Sequence, residues 1–188
     1  MENFINYLLQ FGNLNQQQVN LIVSKCSLLN LTKDEYFSEA GKIARQIGFV
    51  SKGILRICYF NKEGEEVTRY FISENSFAVD LNSYNSQISA SEYIQAVTDC
   101  ELVVLSKNDM QELSMTIIEW DNIVNKITSK ALIEKVNLIS PMIAKKATER
   151  YLAFMKNFPL LINRIPLSYI ASYLGITQSS LSRIRKNL

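Results

Sequence analysis

Between about residues 36 and 106 the chain breaks into short β-branched and aromatic runs, each closed by turn residues. No other feature narrows the fold as much. Ile43 to Val50 stops at Ser51-Lys52-Gly53, Ile54 to Phe60 at Asn61-Lys62-Glu63-Gly64, and Val67 to Ile72 at Ser73-Glu74-Asn75-Ser76. Tyr93 to Thr98 and Leu102 to Leu105 follow, joined through Asp99-Cys100-Glu101. Runs of this length and chemistry read as strands. Residues 54–72 read as a hairpin, because Asn61 and Gly64 supply the backbone freedom a tight reversal needs. Several such strands predict a sandwich or barrel, with a double-stranded β-helix, or jelly roll, as the expected form.

Helical patterns flank this region, so the expected class is α+β. Phe4, Ile5, Leu8, Leu9 and Gly12 form one apolar stripe, and Asn15-Gln16-Gln17 opens a second segment with Val19, Leu21, Ile22 and Leu28 toward a core. After the β region, Ser106 or Asn108 is the candidate N-cap of a long helix. On it Ile123, Ile127, Ala131 and Leu138 recur at near-heptad spacing, with Glu134 interrupting. That is an imperfect seam for a partner helix, with packing on the chain's own β domain as the alternative. Ser140-Pro141 ends the helix. Another helix spans Ala144 to Lys156, with Tyr151, Leu152 and Met155 on one face, and ends at Phe158-Pro159.

Composition removes several kinds of chemistry. The chain has no histidine among 188 residues. His-ligated zinc, Ser-His-Asp or Cys-His catalysis and axial-His haem are therefore excluded. Cys26, Cys58 and Cys100 are far apart and form no CxxC pair, so they read as buried small hydrophobes in a reducing cytoplasm. No cofactor and no metal is expected. The first ten residues lack the basic region of a secretory signal, and no apolar run approaches the roughly 20 residues of a membrane helix.

The net charge of +2 hides an asymmetry. Residues 1–140 carry 12 basic and 17 acidic side chains, a net of −5. Residues 141–188 carry eight basic side chains against Glu149 alone, a net of +7. A basic module suited to a polyanion is joined to an acidic one.

The last 23 residues, Pro166 to Leu188, carry the most specific pattern. Pro166 suits a helix start, Ile170, Ala171 and Leu174 make a buried face, and Gly175 ends the helix through positive φ. Thr177 is the N-cap of a second helix whose Leu181 and Ile184 point inward. Ala171 and Gly175 are the small pair that lets two helices cross closely, as in a helix-turn-helix. The outer face of the second helix bears Gln178, Ser179, Ser180, Ser182, Arg183, Arg185 and Lys186, with no acid among them. Gln suits adenine, Arg suits guanine, and the remaining cations suit phosphates.

Taken together, nearly all 188 residues resemble the Crp/Fnr superfamily of bacterial transcription regulators. The resemblance rests on Phe49-Val50-Ser51-Lys52-Gly53, the Asn61–Gly64 hairpin, Phe71 to Phe77, and the motif from Ile165 to Lys186. Ala147 to Leu152 and that last motif look like the subgroup found in Bacteroidetes-type bacteria. The resemblance implies a cyclic-nucleotide-binding-like sensor domain over 1–108, a dimerisation helix over 109–140 and a helix-turn-helix domain over 141–188. It implies double-stranded DNA and a second copy of the chain as partners. A small-molecule effector and RNA polymerase are further partners of such regulators; a membrane is not. Gln178, Ser179 and Arg183 align with base-reading positions, Thr177 with the N-cap and a phosphate contact, and Ser180, Arg185 and Lys186 with phosphate contacts.

The chain departs from the family at the nucleotide-phosphate cassette. Val79 and Asp80 stand where cyclic-AMP-binding members have Gly-Glu, and Ala90 and Ser91 where they have Arg-Ser. No Lys or Arg occurs between Arg69 and Lys107, and Asp80 and Glu92 would repel a phosphate. Cyclic AMP and cyclic GMP are therefore not expected to bind. Tyr84, Tyr93 and Asp80 are the other candidate lining residues. The β-hairpin wing that follows the recognition helix in many members is not expected here, so its phosphate contacts are expected to be either absent or replaced by Lys145, Lys146 and Arg150. Two rival classes stay open: a jelly-roll module that binds a ligand or protein without gene control, and a cupin-like enzyme, which the missing histidines disfavour.

Overall fold

The computed structural model describes residues 1–139 and 144–188, so the expected helix end at Ser140-Pro141 lies outside the described residues. The chain opens with α1 (Glu2–Leu8) and α2 (Gln16–Lys25). Asn15 closes a capping box on α2: its side chain accepts the Gln18 N–H at 2.9 Å, and Gln18 Oε1 accepts the Asn15 N–H at 2.9 Å. Eight strands follow: β1 (Ser27–Leu31), β2 (Tyr36–Ser38), β3 (Gln46–Lys52), β4 (Leu55–Phe60), β5 (Glu66–Ile72), β6 (Phe77–Ala78), β7 (Tyr93–Ala96) and β8 (Cys100–Ser106). Helix α3 (Leu81–Ser86) lies between β6 and β7. The C-terminal part is helical: α4 (Lys107–Thr116), α5 (Trp120–Ile139), α6 (Ala147–Asn157), α7 (Leu167–Tyr173) and α8 (Gln178–Lys186).

The strands form two four-stranded antiparallel sheets, ordered β1-β8-β3-β6 and β2-β7-β4-β5. β1 pairs with β8, β2 with β7, β3 with β6 and β4 with β5, which is one long hairpin wrapped into a sandwich. Period-two alternation assigns the faces. Leu55, Ile57, Ile72, Ile94, Leu102 and Val104 fill the space between the sheets. Val103 and Leu105 point outward from the first sheet, against Phe4, Leu8, Ile22, Leu113, Trp120, Ile123 and Ile127 of the helices. On the outside of the second sheet, Phe71 joins Ile54 and Val97 in a third cluster with Tyr151, Phe154, Leu161, Ile165, Ile170, Ala171, Leu174 and Leu181. Each fully buried aliphatic or aromatic side chain contributes about 1.5–3 kcal/mol. The third cluster therefore binds the C-terminal helices firmly to the sandwich.

Several expectations need correction. Leu28 is not a core residue of a helix; it is on strand β1 and 72% exposed, while Leu31 points inward. The long helix expected over 109–140 is two helices, because Ile117-Ile118-Glu119 break it: Ile117 caps α4, and the Trp120 N–H turns back onto the Ile117 carbonyl. Ser106 is the N-cap, accepting the Asp109 N–H at 3.1 Å. The four residues of the expected seam divide between core and surface. Ile123 is 0% exposed and Ile127 is buried, both held in the chain's own core with α1 and α2. Ala131 is exposed and Leu138 half-buried. The apolar side chains that α5 does expose are Leu132, Ile133, Val136 and Ile139.

The cysteines are free thiols. Burial pushes Cys26 up to about 12 and Cys58 up to about 11, so neither is a thiolate near neutral pH. Among the described residues no helix is long and apolar enough to cross a membrane, and no cluster of three metal-ligating side chains occurs.

Candidate nucleic-acid interface and ligand site

Helices α7 and α8 are joined by a tight turn. After the C-cap Leu174, Gly175 takes φ +65°. Its N–H donates to the Ser172 carbonyl, and the Ile176 N–H to the Ala171 carbonyl, each at 3.0 Å. This is a Schellman motif, and a glycine stands where the left-handed conformation requires it. Thr177 then caps α8, its hydroxyl accepting the Ser180 N–H at 3.2 Å. Ala171, Leu174 and Leu181 are buried and Ile184 packs against them, so α8 is anchored by one face only.

The other face is open. Thr177, Gln178, Ser179, Arg183, Arg185 and Lys186 are exposed, and Ser180 and Ser182 are half-buried. Ser180 Oγ also accepts from the Thr177 hydroxyl at 2.9 Å, which holds it at the cap. Among the described residues no ion pair engages Arg183, Arg185 or Lys186. Three free guanidinium and ammonium groups within four residues make a strongly cationic helix end. Lys146 is exposed, with Lys145 and Arg150 half-buried. Arg150 Nε is buried without a hydrogen-bond partner, and the Lys146 N–H donates to Glu149 Oε2 at 3.1 Å to start α6.

The cassette segment is a different kind of site. Val79 is half-buried, and Asp80 is spent on capping α3, where it accepts the Ser83 N–H at 3.0 Å. Ser83 is buried; its hydroxyl accepts the Ala44 N–H at 2.9 Å and donates to the Ile88 carbonyl at 2.6 Å. Ala90 is buried and exchanges backbone hydrogen bonds with Lys42 and Gly41, while Ser91 is exposed. Tyr84 is buried beneath Lys107, whose Nζ donates to the Tyr84 carbonyl at 2.7 Å. Tyr93 packs with Tyr36 and Phe60, centroids 5.3 and 5.8 Å away.

Two cations approach this segment from elsewhere. Arg69 of β5 pairs with Glu92 at 2.5 Å, and that pairing raises the Arg69 pKa. Lys135 of α5 lies 4.8 Å from the Tyr70 ring, and burial, with Arg69 nearby, lowers its pKa. Glu92 is thus a neutralised partner rather than a free repelling charge. Nothing local in the sequence marks Lys135, which topology brings from 43 residues beyond Glu92. Two open cavities lie elsewhere. One of about 450 Å³ lies where Lys33, Thr98 and Asp99 face Asn163, Arg164 and Pro166, and one of about 570 Å³ runs along α5.

Residues 28–116 match the family model described as the cyclic nucleotide-binding domain. Around this domain the whole architecture is similar to solved regulators of the Crp/Fnr family. FixK2 from Bradyrhizobium japonicum aligns with a TM-score of 0.74 at 17% identity, over 87% of this chain and 84% of that one. The c-di-GMP responsive global regulator CLP of Xanthomonas campestris gives 0.73 at 15% identity, over 92% and 91%. A putative transcriptional regulator of the crp/fnr family from Eubacterium rectale gives 0.72 at 19% identity, over 97% and 87%. No curated protein matches the sequence significantly.

Proposed function

We propose that the chain is a cytoplasmic, homodimeric, sequence-specific DNA-binding transcription regulator of the Crp/Fnr type. In this reading residues 1–108 form the sensor domain, 109–140 the dimer-forming segment and 141–188 a helix-turn-helix domain that reads DNA. The observation that carries it is the open face of α8: Gln178, Ser179 and Arg183 for base edges, and Thr177, Ser180, Arg185 and Lys186 for phosphates, with no ion pair to its cations among the described residues. The capped N-terminus of α8 adds its own attraction for anions. The similar fold of known regulators supports the same reading.

Base reading and phosphate contact separate experimentally. Arg183→Ala is expected to cost about 1–3 kcal/mol of specific binding and relax preference at one base pair. Lys186→Ala is expected to weaken all duplexes alike and lower the salt slope by about one. Binding of a selected duplex and a scrambled one across a salt series distinguishes the two. An equal loss for every sequence in Arg183→Ala would remove it from the base-reading set.

The sensor is expected not to take cyclic AMP or cyclic GMP. A cyclic phosphate needs a bidentate cation and backbone donors. Here Arg69 is engaged by Glu92, the Ser83 N–H by Asp80, and Ala90 replaces the arginine. Calorimetry with either nucleotide is expected to show no heat at micromolar concentrations; a micromolar isotherm refutes this part.

A further inference from the structure

The cleft of about 450 Å³ beside the β7–β8 turn has two walls, and both are fastened to one short backbone segment, Gly53-Ile54. The sandwich wall is tied to Ile54. The Thr98 hydroxyl accepts the Ile54 N–H at 3.0 Å, and the Val97 N–H donates to the Ile54 carbonyl at 2.8 Å. The opposite wall is tied to Gly53 through Glu74. Glu74 Oε1 accepts the Gly53 N–H at 2.9 Å, and the same carboxylate holds the two Nη groups of Arg164 at 3.2 and 2.6 Å. Asp99 Oδ1 accepts the Lys33 N–H at 2.9 Å, which joins the β1–β2 turn to the sandwich wall. Underneath, Val97 and Ile165 are buried in one apolar cluster that spans both walls. The walls therefore cannot part, and the cleft is preformed. Its volume falls within the roughly 300–1,000 Å³ of small-molecule sites, which pair an apolar lining with a few placed polar groups.

The rim keeps polar groups that this fastening does not use. Among the described residues no ion pair engages the Lys33 ammonium. Asp99 has a second carboxylate oxygen beyond the one that accepts the Lys33 N–H. Asn163 is exposed on the opposite wall. The charges of this rim select the ligand. It holds one ammonium, Lys33, and one carboxylate, Asp99, while Arg164 is offset by Glu74. A phosphate or nucleotide would meet two carboxylates and find the bidentate edge of its arginine already taken. A hydrocarbon would use the floor and neither rim charge. A small zwitterion with an apolar tail uses both.

We propose that this cleft binds a free α-amino acid with an aliphatic side chain. Its carboxylate is held by Lys33 and the Asn163 amide, its ammonium by Asp99, and its side chain rests on Val97, Ile165 and Pro166. The site shares no residue with the cassette segment. It requires no movement of the C-terminal helices and no DNA, so a chain that binds no duplex leaves it standing.

Amide chemical-shift titration of the 188-residue chain with L-leucine tests the site. The amides of Thr98, Asp99 and Arg164 are expected to shift saturably, while those of residues 79–91 and of α8 stay in place. 4-Methylpentanoate lacks the ammonium and 3-methylbutylamine lacks the carboxylate; each is expected to bind at least about threefold more weakly than L-leucine, the scale of one solvent-exposed charge pair. Lys33→Met keeps the backbone N–H, and Asp99→Asn keeps the Oδ1 acceptor, so the two turns stay joined. Each variant is expected to weaken L-leucine binding by at least about threefold with the remaining spectrum unaltered. Absence of a saturable shift at the cleft amides overturns the site, as do shifts centred on other residues. Either analogue binding within threefold of L-leucine, or either variant within threefold of the native chain, overturns the amino-acid assignment.

Discussion

Gly53→Ala is expected to lower the stability of the fold by about 2–6 kcal/mol, the sum of a backbone and a packing penalty. Gly53 lies between β3 and β4 with φ +98°, where an L side chain is strained. A Cβ there would be 2.4 Å from the Asp99 carbonyl oxygen and 2.6 Å from Cys100 Sγ. The first of these is backbone in the β7–β8 turn and cannot swing aside. The Gly53 N–H also donates to Glu74 Oε1 at 2.9 Å, so displacing this turn disturbs the carboxylate that holds Arg164. Gly175→Ala is the internal control. Its φ is also positive, but nothing lies within 4 Å of the added carbon, so only the conformational cost of about 1–2 kcal/mol is expected. Urea unfolding of both variants reads the difference. Equal losses would show that the Gly53 overlap is absorbed by local shifts.

Val136→Glu is expected to abolish dimer formation and weaken binding of a two-half-site duplex by about 100-fold or more, because the second head then loses its tethered concentration. Val136 is 53% exposed and Leu132 62% exposed, and with Ile133 and Ile139 they make an apolar stripe over the last turns of α5. A stripe recurring every three to four residues is a face for another helix. A charge at its centre would be buried unpaired in the dimer and fully solvated in the monomer. Sedimentation of the variant is expected to give the mass of one chain, with the helical and strand content retained. Ile123→Ala provides the contrast: it hollows the chain's own core beside α1 and α2. It is expected to cost about 2–5 kcal/mol of stability and to leave the association constant of the folded chain unaltered. A dimeric Val136→Glu would return the seam to a different face.

The contrast between these residues shows what local pattern conveys. Ile123, Ile127 and Val136 lie on one helix and all fit an apolar periodicity, but periodicity only says that a face is buried. Which neighbour buries it depends on where α1 and α2 fold back, and that is a long-range fact. The break at Ile117-Ile118-Glu119 was likewise hidden, since no proline or glycine marks it. Strand β1 was obscured because its inward Leu31 and outward Leu28 follow directly on the helical stripe of α2, and a period of two over five residues is easily merged into one of 3.6. By contrast, the turn-bounded runs from residue 43 to 105 were legible because each ends in residues with a specific backbone role. The α7–α8 unit was legible for the same reason: Gly175 and Thr177 act on their own immediate neighbours.

The two candidate sites differ in the same way. The face of α8 is built within nine consecutive residues, so its chemistry can be read directly. The surroundings of the cassette are assembled from β5, α5 and the segment after α3, and the Arg69–Glu92 pair and Lys135 emerge only when these meet. Arg56 shows the principle most sharply. An arginine in the middle of a strand reads as a solvent-facing residue, yet Arg56 of β4 is 1% exposed, with its guanidinium carbon 3.6 Å from the Tyr169 ring centroid of α7.

Two copies of α8 are expected to read DNA across a two-fold axis. Selection of bound sequences from a random duplex pool by the 188-residue chain reads this out. An inverted repeat with half-sites about one helical turn, or about 34 Å, apart is the expected product. The same enrichment is predicted to be lost in Arg183→Ala. Recovery of no common sequence, or of a single unrepeated half-site by a dimeric chain, would contradict it.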